Sequence, residues 1–508
     1  MTTRYYKIED LHSAESSNDA LAACGEIIRR GGLVCFPTET VYGLGADARN
    51  PKAVRAIYEA KGRPADNPLI VHVADIETVA SISEMTERER QRFYKLAEEF
   101  WPGPLTMIVT KSAEIPREVS CGLSTVGIRF PEHPVAAAFI EAAGVPIAAP
   151  SANASGRPSP TLARHVMEDM DGRVDAVIDG GPCQVGLEST VIDLTGDTPC
   201  ILRPGGITLE MVRKVLPDVR QLEWHGEERK PAEEAPRSPG LKYKHYAPRA
   251  KTVILQGDPH SVSERIQWAL DDAAERGVSA RALVALESAG YFRDRSRLVC
   301  LGGREDKEAQ AASLFRLLRE LDEDGIAEAY VEAMPEDGIG FAVMNRLYRA
   351  AGCSMVPVKK VMFVCTGNTC RSFMAEYIYK SVLKTRMAQG GLSACAVSVS
   401  SAGIYAADGS AGSRTAEEVL KLEFGIDGSG HRTRLLTYDR AHEADLLLTM
   451  TEGHKAAVLR AFSDLTGKVF TLGEYGHGQD VQDPFMGSYG TYRACAGQIA
   501  ELIKGAEL

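Results

Sequence analysis

The stretch VMFVCTGNTCRSFMAE, which begins at Val361, restricts the fold of this chain more than any other part of it. It predicts an apolar β-strand, a glycine-containing loop and then a helix, which is how a new α/β unit starts. Since the chain has 508 residues, this unit begins well beyond the size of one ordinary domain. The length predicts about three domains, and this stretch opens the last of them.

Strands and helices alternate along almost the whole chain, which predicts an α/β fold throughout. The alternation is interrupted at Glu223, where a charged and proline-rich stretch begins, and again between Cys353 and Lys360. Segments of the first kind form linkers rather than cores. The predicted parts are a domain at 1–222, a linker at 223–249, and domains at 250–352 and 358–508.

The composition is that of an ordinary soluble protein, with 44% hydrophobic and 25% charged residues. No apolar run approaches the roughly 20 residues of a membrane span, and the opening MTTRYYKIED lacks the apolar core of a secretory signal. We therefore expect a cytoplasmic protein without a membrane partner. Most of the 11 cysteines are then interpreted as small buried residues, with Cys365 and Cys370 as exceptions. A net charge of −11 disfavours non-specific binding of nucleic acid.

Polar side chains follow several strands of the first predicted domain. FPTETVYGLG places Thr40 where a strand meets a glycine turn, and KGRPADNPLIVH places Lys61 and Arg63 at a helix end. Such a cation pair is usually solvated, but a glycine- and proline-rich loop beside other polar groups suits phosphate binding better. Other candidates at strand ends and turns are Asn67, His72, Ser151, Asn153, Ser159, Ser189 and Arg203. Together they predict a ligand site at the strand ends, where α/β folds bind small molecules.

The motifs PTETVYGLG, KGRPADNPL, PSAN and ESTV resemble those of the YrdC-like L-threonylcarbamoyladenylate synthases, and the resemblance extends across residues 15–220. The segment SPGLKYKHYAP, from Ser238 to Pro248, resembles the linker of the long form of that family, in which a small α/β domain follows. The resemblance implies a YrdC-like twisted mixed sheet and a small Rossmann-like accessory domain. Because 250–352 holds no catalytic cluster of its own, we expect it to anchor and position the linker.

This resemblance implies a reaction in which L-threonine, bicarbonate and ATP give L-threonylcarbamoyl-AMP and pyrophosphate, with Mg²⁺ accompanying ATP. The product would pass to tRNA-modifying threonylcarbamoyl transferase proteins. By position in the family motifs, the ATP-binding residues would be Lys61, Arg63, Asn67, Thr125, Ser151, Asn153, Ser159, Arg203 and Tyr246. The threonine-binding residues would be Thr40, His72, Arg129, Ala149 and Ser189. Tyr246 would fold over the nucleotide as part of a lid, and no residue would act as a nucleophile.

In VCTGNTCRS, Cys365 precedes Arg371 by six positions, across a loop between a strand and a helix. Backbone N–H groups of this loop can converge on a phosphoryl group at the helix N-terminus. The helix dipole and Arg371 would favour the Cys365 thiolate, which can attack phosphorus. Asp483, in the sequence DPF, could protonate the leaving group and then activate water. The pattern predicts a phosphatase with a cysteinyl-phosphate intermediate and no cofactor.

Residues 358–508 resemble the low-molecular-weight protein phosphatases, because SSAGIYA, HRTRLLT, ADLLLTMT and DPF follow in order. They are most similar to the bacterial protein-arginine phosphatases, since Thr369 is polar where tyrosine-directed relatives carry a larger aliphatic residue. This resemblance implies a parallel sheet flanked by helices, and the substrates would be phosphorylated proteins. The loop and specificity residues would be Thr366, Gly367, Asn368, Thr369, Cys370 and Ser372.

Several roles stay open at this point. Ser372 could hydrogen-bond the thiolate, and Cys370 could form a protective disulfide with Cys365 or be a structural loop residue. Phe373, where proline is common, could loosen the helix start or line the pocket. The last domain could instead be a phosphotyrosine phosphatase, with Thr369 only a small loop residue. The linker with Tyr246 could be a plain spacer. As a member of another class, the first domain could be an RNA-binding module that uses its basic groove.

Overall fold

The computed structural model describes residues 2–8, 11, 15–223, 246–390 and 396–506. The predicted linker with SPGLKYKHYAP lies largely outside these residues, although Tyr246 is described. The chain forms two compact units. The first comprises Met1–Ile254, Ser279–Gly290 and Ser296–Met355, and the second comprises Leu255–Val278, Tyr291–Arg295 and Val356–Leu508.

The first unit contains a large mixed sheet, as the resemblance implied. Its strands are β1 (Arg4–Lys7), β2 (Val34–Phe36), β3 (Gly43–Asp47), β4 (Ile70–His72), β5 (Leu105–Thr110), β6 (Thr125–Arg129), β7 (Ile147–Ala148), β8 (Ala176–Asp179), β9 (Thr190–Asp193), β10 (Cys200–Arg203) and β11 (Arg220–Gln221). Their order is β1-β8-β2-β3-β7-β4-β6-β5-β9-β10-β11, with parallel and antiparallel neighbours. The helices are α1 (Glu15–Arg29), α2 (Pro51–Lys61), α3 (Glu77–Ile82), α4 (Glu87–Phe100), α5 (Arg117–Ser120), α6 (Pro134–Ala143), α7 (Ala163–Met170) and α8 (Leu209–Val215).

This sheet is buried on both faces. Successive residues of a strand point to opposite faces, and β2 shows the consequence. Cys35 belongs to one apolar cluster, whereas Val34 and Phe36 belong to another. Continuously apolar strands are therefore needed in the middle of the sheet, and the polar side chains concentrate where the strands end.

Helix α2 shows how the local sequence prepares the ligand site. The side chain of Asn50 accepts hydrogen bonds from the backbone N–H groups of Lys52 and Ala53, and Pro51 occupies the first turn. Gly62 ends the helix with φ of 62°, a left-handed conformation that favours glycine. This stop places Lys61 and Arg63 at the helix end, as the sequence predicted.

Residues 251–357 contribute a smaller sheet. Its strands are β12 (Lys251–Gln256), β13 (Ala280–Ala285), β14 (Leu298–Gly302), β15 (Glu328–Glu332) and β16 (Met355–Pro357), in the order β14-β13-β15-β12-β16. The helices of this part are α9 (Pro259–Glu275), α10 (Lys307–Glu323) and α11 (Gly340–Ala350). The sequence analysis missed β15, whose apolar run is short between two glutamates. It also interpreted the segment containing β16 as a junction only.

The second unit contains a parallel sheet flanked by helices, as predicted. Its strands are β17 (Lys359–Cys365), β18 (Val397–Gly403), β19 (Leu446–Thr449) and β20 (Val469–Thr471), in the order β18-β17-β19-β20. The helices that follow β17 are α12 (Arg371–Gly390), α13 (Arg414–Phe424), α14 (Tyr438–Glu443), α15 (Glu452–Ala461), α16 (Leu472–Tyr475) and α17 (Tyr489–Gly505). Cys365 pairs with Gly403 at the carboxyl end of the sheet. Among the described helices, not one has the length and apolar character that a bilayer crossing requires.

We expect Gly186→Ala to destabilise the first unit more than Gly181→Ala. Both glycines have positive φ, 73° and 89°, so alanine at either position costs about 1 kcal/mol in backbone strain. At Gly186 the added Cβ would also lie 2.5 Å from the Cα of Ala312 on α10, whereas at Gly181 it would meet open space. Urea unfolding measures the difference, and equal midpoints for the two variants would contradict this close packing.

Candidate active sites

A cleft opens at the strand ends of the large sheet in the first unit. It encloses about 760 Å³ when the space of its open mouth is included. The predicted residues that line it are Thr40, Lys61, Arg63, His72, Arg129, Ala149, Ser151, Asn153, Ser189, Arg203 and Tyr246. The fold therefore brings together most of the side chains that the motifs singled out.

Three predicted residues lie beside the cleft instead of on its lining. Thr125 lines a small neighbouring cavity, which shares Pro68–Ile70 with the cleft. Asn67 is buried, and within the described residues neither polar atom of its side chain has a hydrogen-bond partner. Ser159 is also buried and donates a hydrogen bond to Glu188. The assignment of these three residues to ATP stays a prediction.

Lys61 lines the cleft but directs its hydrogens to the protein. Its ammonium group donates to the backbone oxygens of Ser151 and Asn153, the latter at 2.7 Å, and to the side-chain oxygen of Asn153 at 3.3 Å. An ammonium group has three hydrogens, so these acceptors use all of them. Burial, together with the charge of Arg63, lowers the pKa of Lys61. Lys61 therefore fastens the loop that carries Ser151 and Asn153 to the end of α2, and its assignment to ATP stays a prediction.

Two guanidinium groups are held at fixed positions in the cleft. Arg203 donates from Nε to the backbone oxygen of Ser189 at 3.0 Å and from a terminal nitrogen to its hydroxyl at 3.1 Å. Burial lowers the pKa of Arg203 to about 10, so the side chain stays charged at neutral pH. Arg63 donates to the backbone oxygens of Asn67 and Pro68, at 3.2 and 3.3 Å. Planar, permanently charged groups of this kind suit the oxygens of a polyphosphate.

Arg129 forms a buried ion pair with Glu39, at 2.7 Å between nitrogen and oxygen. Arg129 lines the cleft, and Glu39 is buried outside the lining, so the carboxylate fixes the guanidinium from the protein side. His72 is buried beside this pair, and burial together with the charge of Arg129 lowers its pKa to about 3. The imidazole is therefore neutral at physiological pH, and the positive charge of this corner comes from Arg129.

Glu188 brings a negative charge to the lining of the cleft. Its carboxylate accepts a hydrogen bond from the hydroxyl of Ser159 at 2.5 Å and one from Nε of Arg346 at 3.0 Å. Arg346 belongs to α11 and is fully buried. The sequence analysis assigned no role to either Glu188 or Arg346.

Tyr246 lines the cleft and packs against α10. Its ring centroid lies 5.1 Å from that of Phe315, and the guanidinium carbon of Arg346 lies 5.9 Å from the ring. The backbone of Tyr246 has φ of 66°, an uncommon conformation for a bulky residue. Tyr246 is therefore a built part of the cleft wall, which argues against a plain spacer.

A second site lies at the carboxyl end of β17 in the second unit. Cys365 is buried there, with Sγ 3.0 Å from the hydroxyl of Ser372 and 3.3 Å from the backbone nitrogen of Asn368. Asn368 has φ of 57° and donates from its side chain to the hydroxyls of Ser372 and Ser401. Its carbonyl is bound by the ring of His431 at 2.8 Å. These hydrogen bonds hold the loop in place around the sulfur.

The predicted acid lies beside this loop. Arg371 begins α12 and donates to Asp483 at 2.8 Å. Arg371 is buried, whereas the side chain of Asp483 is 54% exposed. Tertiary folding therefore brings Asp483 within reach of the residue that would hold a phosphoryl group, although 112 positions separate them in the chain.

The remaining loop residues have distinct surroundings. Thr369 is half-buried and its hydroxyl lies 3.5 Å from the sulfur of Cys370. Cys370 is a free thiol that lies 3.3 Å from the hydroxyl of Tyr492. Thr366 is exposed, and its hydroxyl lies 2.8 Å from Nε2 of His454. His454 and Tyr492 were missed by sequence reasoning, because neither falls in a motif around the loop.

Phe373 has neither of the two roles that the sequence left open. It is fully buried and stacks on His431 with 4.1 Å between ring centroids. A Cβ on Gly412 or Gly428 would lie 2.8 Å from its ring, so these glycines make room for it. Helix α12 nevertheless begins at Arg371, two residues earlier, and is not shortened.

Three family profiles match consecutive parts of the chain. Residues 26–205 match the profile described as Telomere recombination, and residues 207–352 match the C-terminal domain of threonylcarbamoyl-AMP synthase. Threonylcarbamoyl-AMP synthase of Bacillus subtilis is 42% identical over 353 residues, which covers 69% of this chain and 99% of the relative. The chain belongs to the threonylcarbamoyl-AMP synthase family. Residues 360–506 match the profile of low molecular weight phosphotyrosine protein phosphatases and form the phosphatase part of this synthase-family chain.

Solved structures with similar sequences fall into the same two groups. P. abyssi Sua5 complexed with L-threonine is 40% identical, with a TM-score of 0.64, over 70% of this chain and all of its own. The YwlE arginine phosphatase from Geobacillus stearothermophilus is 38% identical over 29% of this chain and 89% of its own, with a TM-score of 0.26. The profiles and the curated relative confirm the resemblance to the threonylcarbamoyl-AMP synthases, and the profile of residues 360–506 confirms the resemblance to the low-molecular-weight phosphatases. The chain joins a synthase to a phosphatase.

We expect His72 to lower the free energy of unfolding of this synthase-family protein as the pH falls from 7 to 5. The pKa of His72 is lowered to about 3 in the folded protein, mainly by burial, against about 6.5 in an unfolded chain. The unfolded chain therefore gains a proton below pH 6.5 that the folded protein does not, which favours unfolding by about 2 kcal/mol at pH 5.

In urea titrations at pH 7 and pH 5, the free energy of unfolding of His72→Gln should therefore fall less than that of the wild-type protein. His442→Gln is the control, because the hydrogen bond that His442 donates to Asp464 raises the pKa of His442 in the folded protein. An unchanged pH dependence in His72→Gln would show that this histidine does not carry the effect.

Proposed function

We propose that the first-unit cleft converts L-threonine, bicarbonate and ATP into L-threonylcarbamoyl-AMP and pyrophosphate. Similar proteins bear the name threonylcarbamoyl-AMP synthase, and P. abyssi Sua5 is solved with L-threonine. The observation that supports this most directly is that the guanidinium groups of Arg63, Arg129 and Arg203 line one cleft. A substrate pair with a carboxylate and a triphosphate requires this concentration of fixed positive charge.

The chemistry needs positioning more than a reactive side chain. The threonine amine forms a bond to the carbon of bicarbonate with loss of water. An oxygen of the resulting carbamate then attacks the α-phosphorus while the bond to pyrophosphate breaks. Arg129, fixed by Glu39, binds the threonine carboxylate, and neutral His72 completes that corner without adding charge. Arg63 and Arg203 stabilise the negative charge that develops on the phosphates and the leaving pyrophosphate.

Mg²⁺ is inferred to arrive with ATP. In the described part of the chain, no group of three or more His, Cys, Asp or Glu side chains is placed to hold a metal ion, and Glu188 is paired with Arg346. Mg²⁺ commonly keeps its waters and binds through substrate phosphates, so these residues fit a metal held mainly by the nucleotide. When bound, it screens the charge of the triphosphate.

The product and the location of the protein follow from the same chemistry. Threonylcarbamoyl-AMP is a mixed anhydride that water destroys, so a transferase must consume it. We infer that tRNA-modifying threonylcarbamoyl transferase proteins take this role. We also infer a cytoplasmic protein, since ATP, tRNA and reduced cysteines occur together in that compartment.

We expect Tyr246→Ala to lower the rate of pyrophosphate release from ATP, threonine and bicarbonate by about tenfold, because an open cleft admits water and loses an aromatic wall. Tyr291→Ala, a change at an exposed tyrosine, is the control and should have no effect. The assay is release of pyrophosphate by the full-length chain, with each substrate omitted in turn. If bicarbonate and threonine do not increase release from the wild-type protein, the proposed reaction is wrong. If Tyr246→Ala matches the wild type, Tyr246 is not part of a lid.

We propose that the second site dephosphorylates protein phosphoarginine through a cysteinyl-phosphate intermediate. The Cys365 thiolate attacks phosphorus, the bond from phosphorus to the guanidine nitrogen breaks, and Asp483 donates a proton to that nitrogen. Arg371 binds the phosphoryl oxygens, so an incoming phosphate competes with Asp483 for its guanidinium group. Water then attacks the cysteinyl phosphate with Asp483 as the base. The short contact between Cys365 and Ser372 supports this role, because a hydroxyl can stabilise the thiolate.

The preference for phosphoarginine is proposed from Thr369. Its side chain is half-buried next to the loop, and its hydroxyl has the Cys370 sulfur, a weak partner, within 3.5 Å. A hydroxyl at this position favours a polar guanidinium or an ordered water, whereas a bulky aliphatic side chain favours an aromatic ring. A phosphotyrosine phosphatase is the alternative, and the profile matched by residues 360–506 bears that description.

We expect the full-length chain to prefer phosphoarginine peptides to phosphotyrosine peptides by at least about tenfold in kcat/KM. Thr369→Ile should reduce this ratio, since it replaces the hydroxyl by apolar volume, and Thr466→Ile is the control at an exposed position outside the loop. Cys365→Ser provides the blank. A preference of the wild-type protein for phosphotyrosine would refute the assignment to phosphoarginine and leave the cysteine mechanism intact.

A further inference from the structure

The accessory part of the chain, residues 250–352, places a buried positive charge next to the synthase cleft. Arg346 lies on α11, between residues 250 and 352, where the sequence contains no catalytic cluster. It is one of the largest fully buried side chains in the described chain. A buried guanidinium must be compensated by an anion and hydrogen-bond acceptors, so its partners show what the position is for.

Two of the three residues that Arg346 contacts, Glu188 and Tyr246, line the cleft. Nε donates to the carboxylate of Glu188 at 3.0 Å, and one terminal nitrogen lies 3.5 Å from the Glu188 backbone oxygen. The other terminal nitrogen donates to the side chain of Asn345 at 2.9 Å. The guanidinium carbon is also 5.9 Å from the ring of Tyr246, another residue of the lining. Arg346 thus acts on two lining residues without lining the cleft itself.

Glu188 would oppose substrate binding if it were not neutralised. It lines the same cleft as Arg203, and burial tends to raise its pKa while the charges of Arg346 and Arg203 lower it below the ordinary value. The group is therefore a carboxylate at neutral pH. A buried carboxylate close to Arg203 competes with an anionic ligand for that arginine, and it also repels the ligand directly.

We infer that Arg346 is a positioning residue that neutralises Glu188 and so leaves Arg203 free to bind the phosphates of ATP. This inference rests on the proposed synthase function. It assigns to the accessory part of the chain a definite electrostatic role in the ATP site, in addition to packing. The carboxylate stays useful because it accepts the hydrogen bond of Ser159, a residue expected at the nucleotide.

The geometry distinguishes this pair from a second buried contact of the same region. Arg319 on α10 is equally buried and donates to Asp169 at 2.8 Å and to the backbone oxygen of Pro158 at 2.7 Å. Asp169 belongs to α7 and does not line the cleft. Arg319 therefore fastens α10 to α7 and to the loop that contains Pro158. Among the described residues, Arg346 pairs with a carboxylate that lines the cleft, whereas the carboxylate paired with Arg319 does not.

The test measures pyrophosphate release by the full-length chain at varied ATP, with threonine and bicarbonate saturating. Arg346→Gln should raise KM for ATP about tenfold or more, because Glu188 is left unpaired beside Arg203. Arg346→Lys keeps the charge and should stay within about threefold of wild type. The double variant Glu188→Gln, Arg346→Gln removes both charges and should recover most of the loss, which a purely structural defect would not. Arg316→Gln, a half-exposed arginine of α10 paired with Glu320, is the surface control.

Each other result counts against the inference. If Arg346→Gln is folded and leaves KM for ATP unchanged, Arg346 has no electrostatic role. If the double variant is as impaired as Arg346→Gln, the effect arises from packing. Should Arg346→Gln not fold, the double variant decides: a KM for ATP within about threefold of the wild-type value supports the charge argument, and an increase of about tenfold or more contradicts it. If the wild-type chain releases no pyrophosphate, the synthase proposal itself is wrong. Phosphatase activity of the same sample then shows that the protein is intact.

Discussion

Compensation of buried charge is the constraint on which the synthase cleft depends. Moving a guanidinium, ammonium or carboxylate out of water costs several kcal/mol unless partners replace the lost hydration. Arg129 has Glu39, Glu188 has Arg346, and Lys61 has three oxygen acceptors. The cleft can therefore present positive charge to an anionic ligand while the surrounding protein stays stable.

The two sites of the chain solve related problems by different means. Both would handle phosphorus at the carboxyl ends of strands, where loop backbones and helix starts are free to face a ligand. The cleft of the first unit uses fixed cations, since its substrates bring their own nucleophile. The loop after β17 instead holds a sulfur nucleophile, and Asn368 binds Ser372 and Ser401 to keep that loop in shape. In each site the reactive geometry is largely built before the substrate binds, which reduces the reorganisation that the reaction requires.

Motifs and local patterns predicted a large part of this arrangement. The capped helix before Lys61, the strand before Cys365 and the helix after it depend on neighbours in sequence, so composition and periodicity are sufficient to find them. Short strands such as β15 and β16 were missed because their stability comes from pairing within a sheet and not from their own residues. Helical periodicity also places Arg346 on the apolar face of α11, between Val343 and Leu347. An arginine there signals a buried ion pair, but nothing local reveals that Glu188 is the partner.

The sequence by itself determined the kinds of chemistry: a cation-rich site for a nucleotide, a cysteine loop for phosphoryl transfer, and their order in the chain. These properties belong to residue types and short spacings, which the chain carries whether folded or not. Only the tertiary structure decided which charges meet. It joined the ammonium group of Lys61 to the loop that carries Ser151 and Asn153, buried Phe373 against His431, and paired Asp483 with Arg371 and Glu188 with Arg346. Such contacts join residues far apart in the chain, and they form only when burial makes an unpaired charge or an empty space too costly to leave.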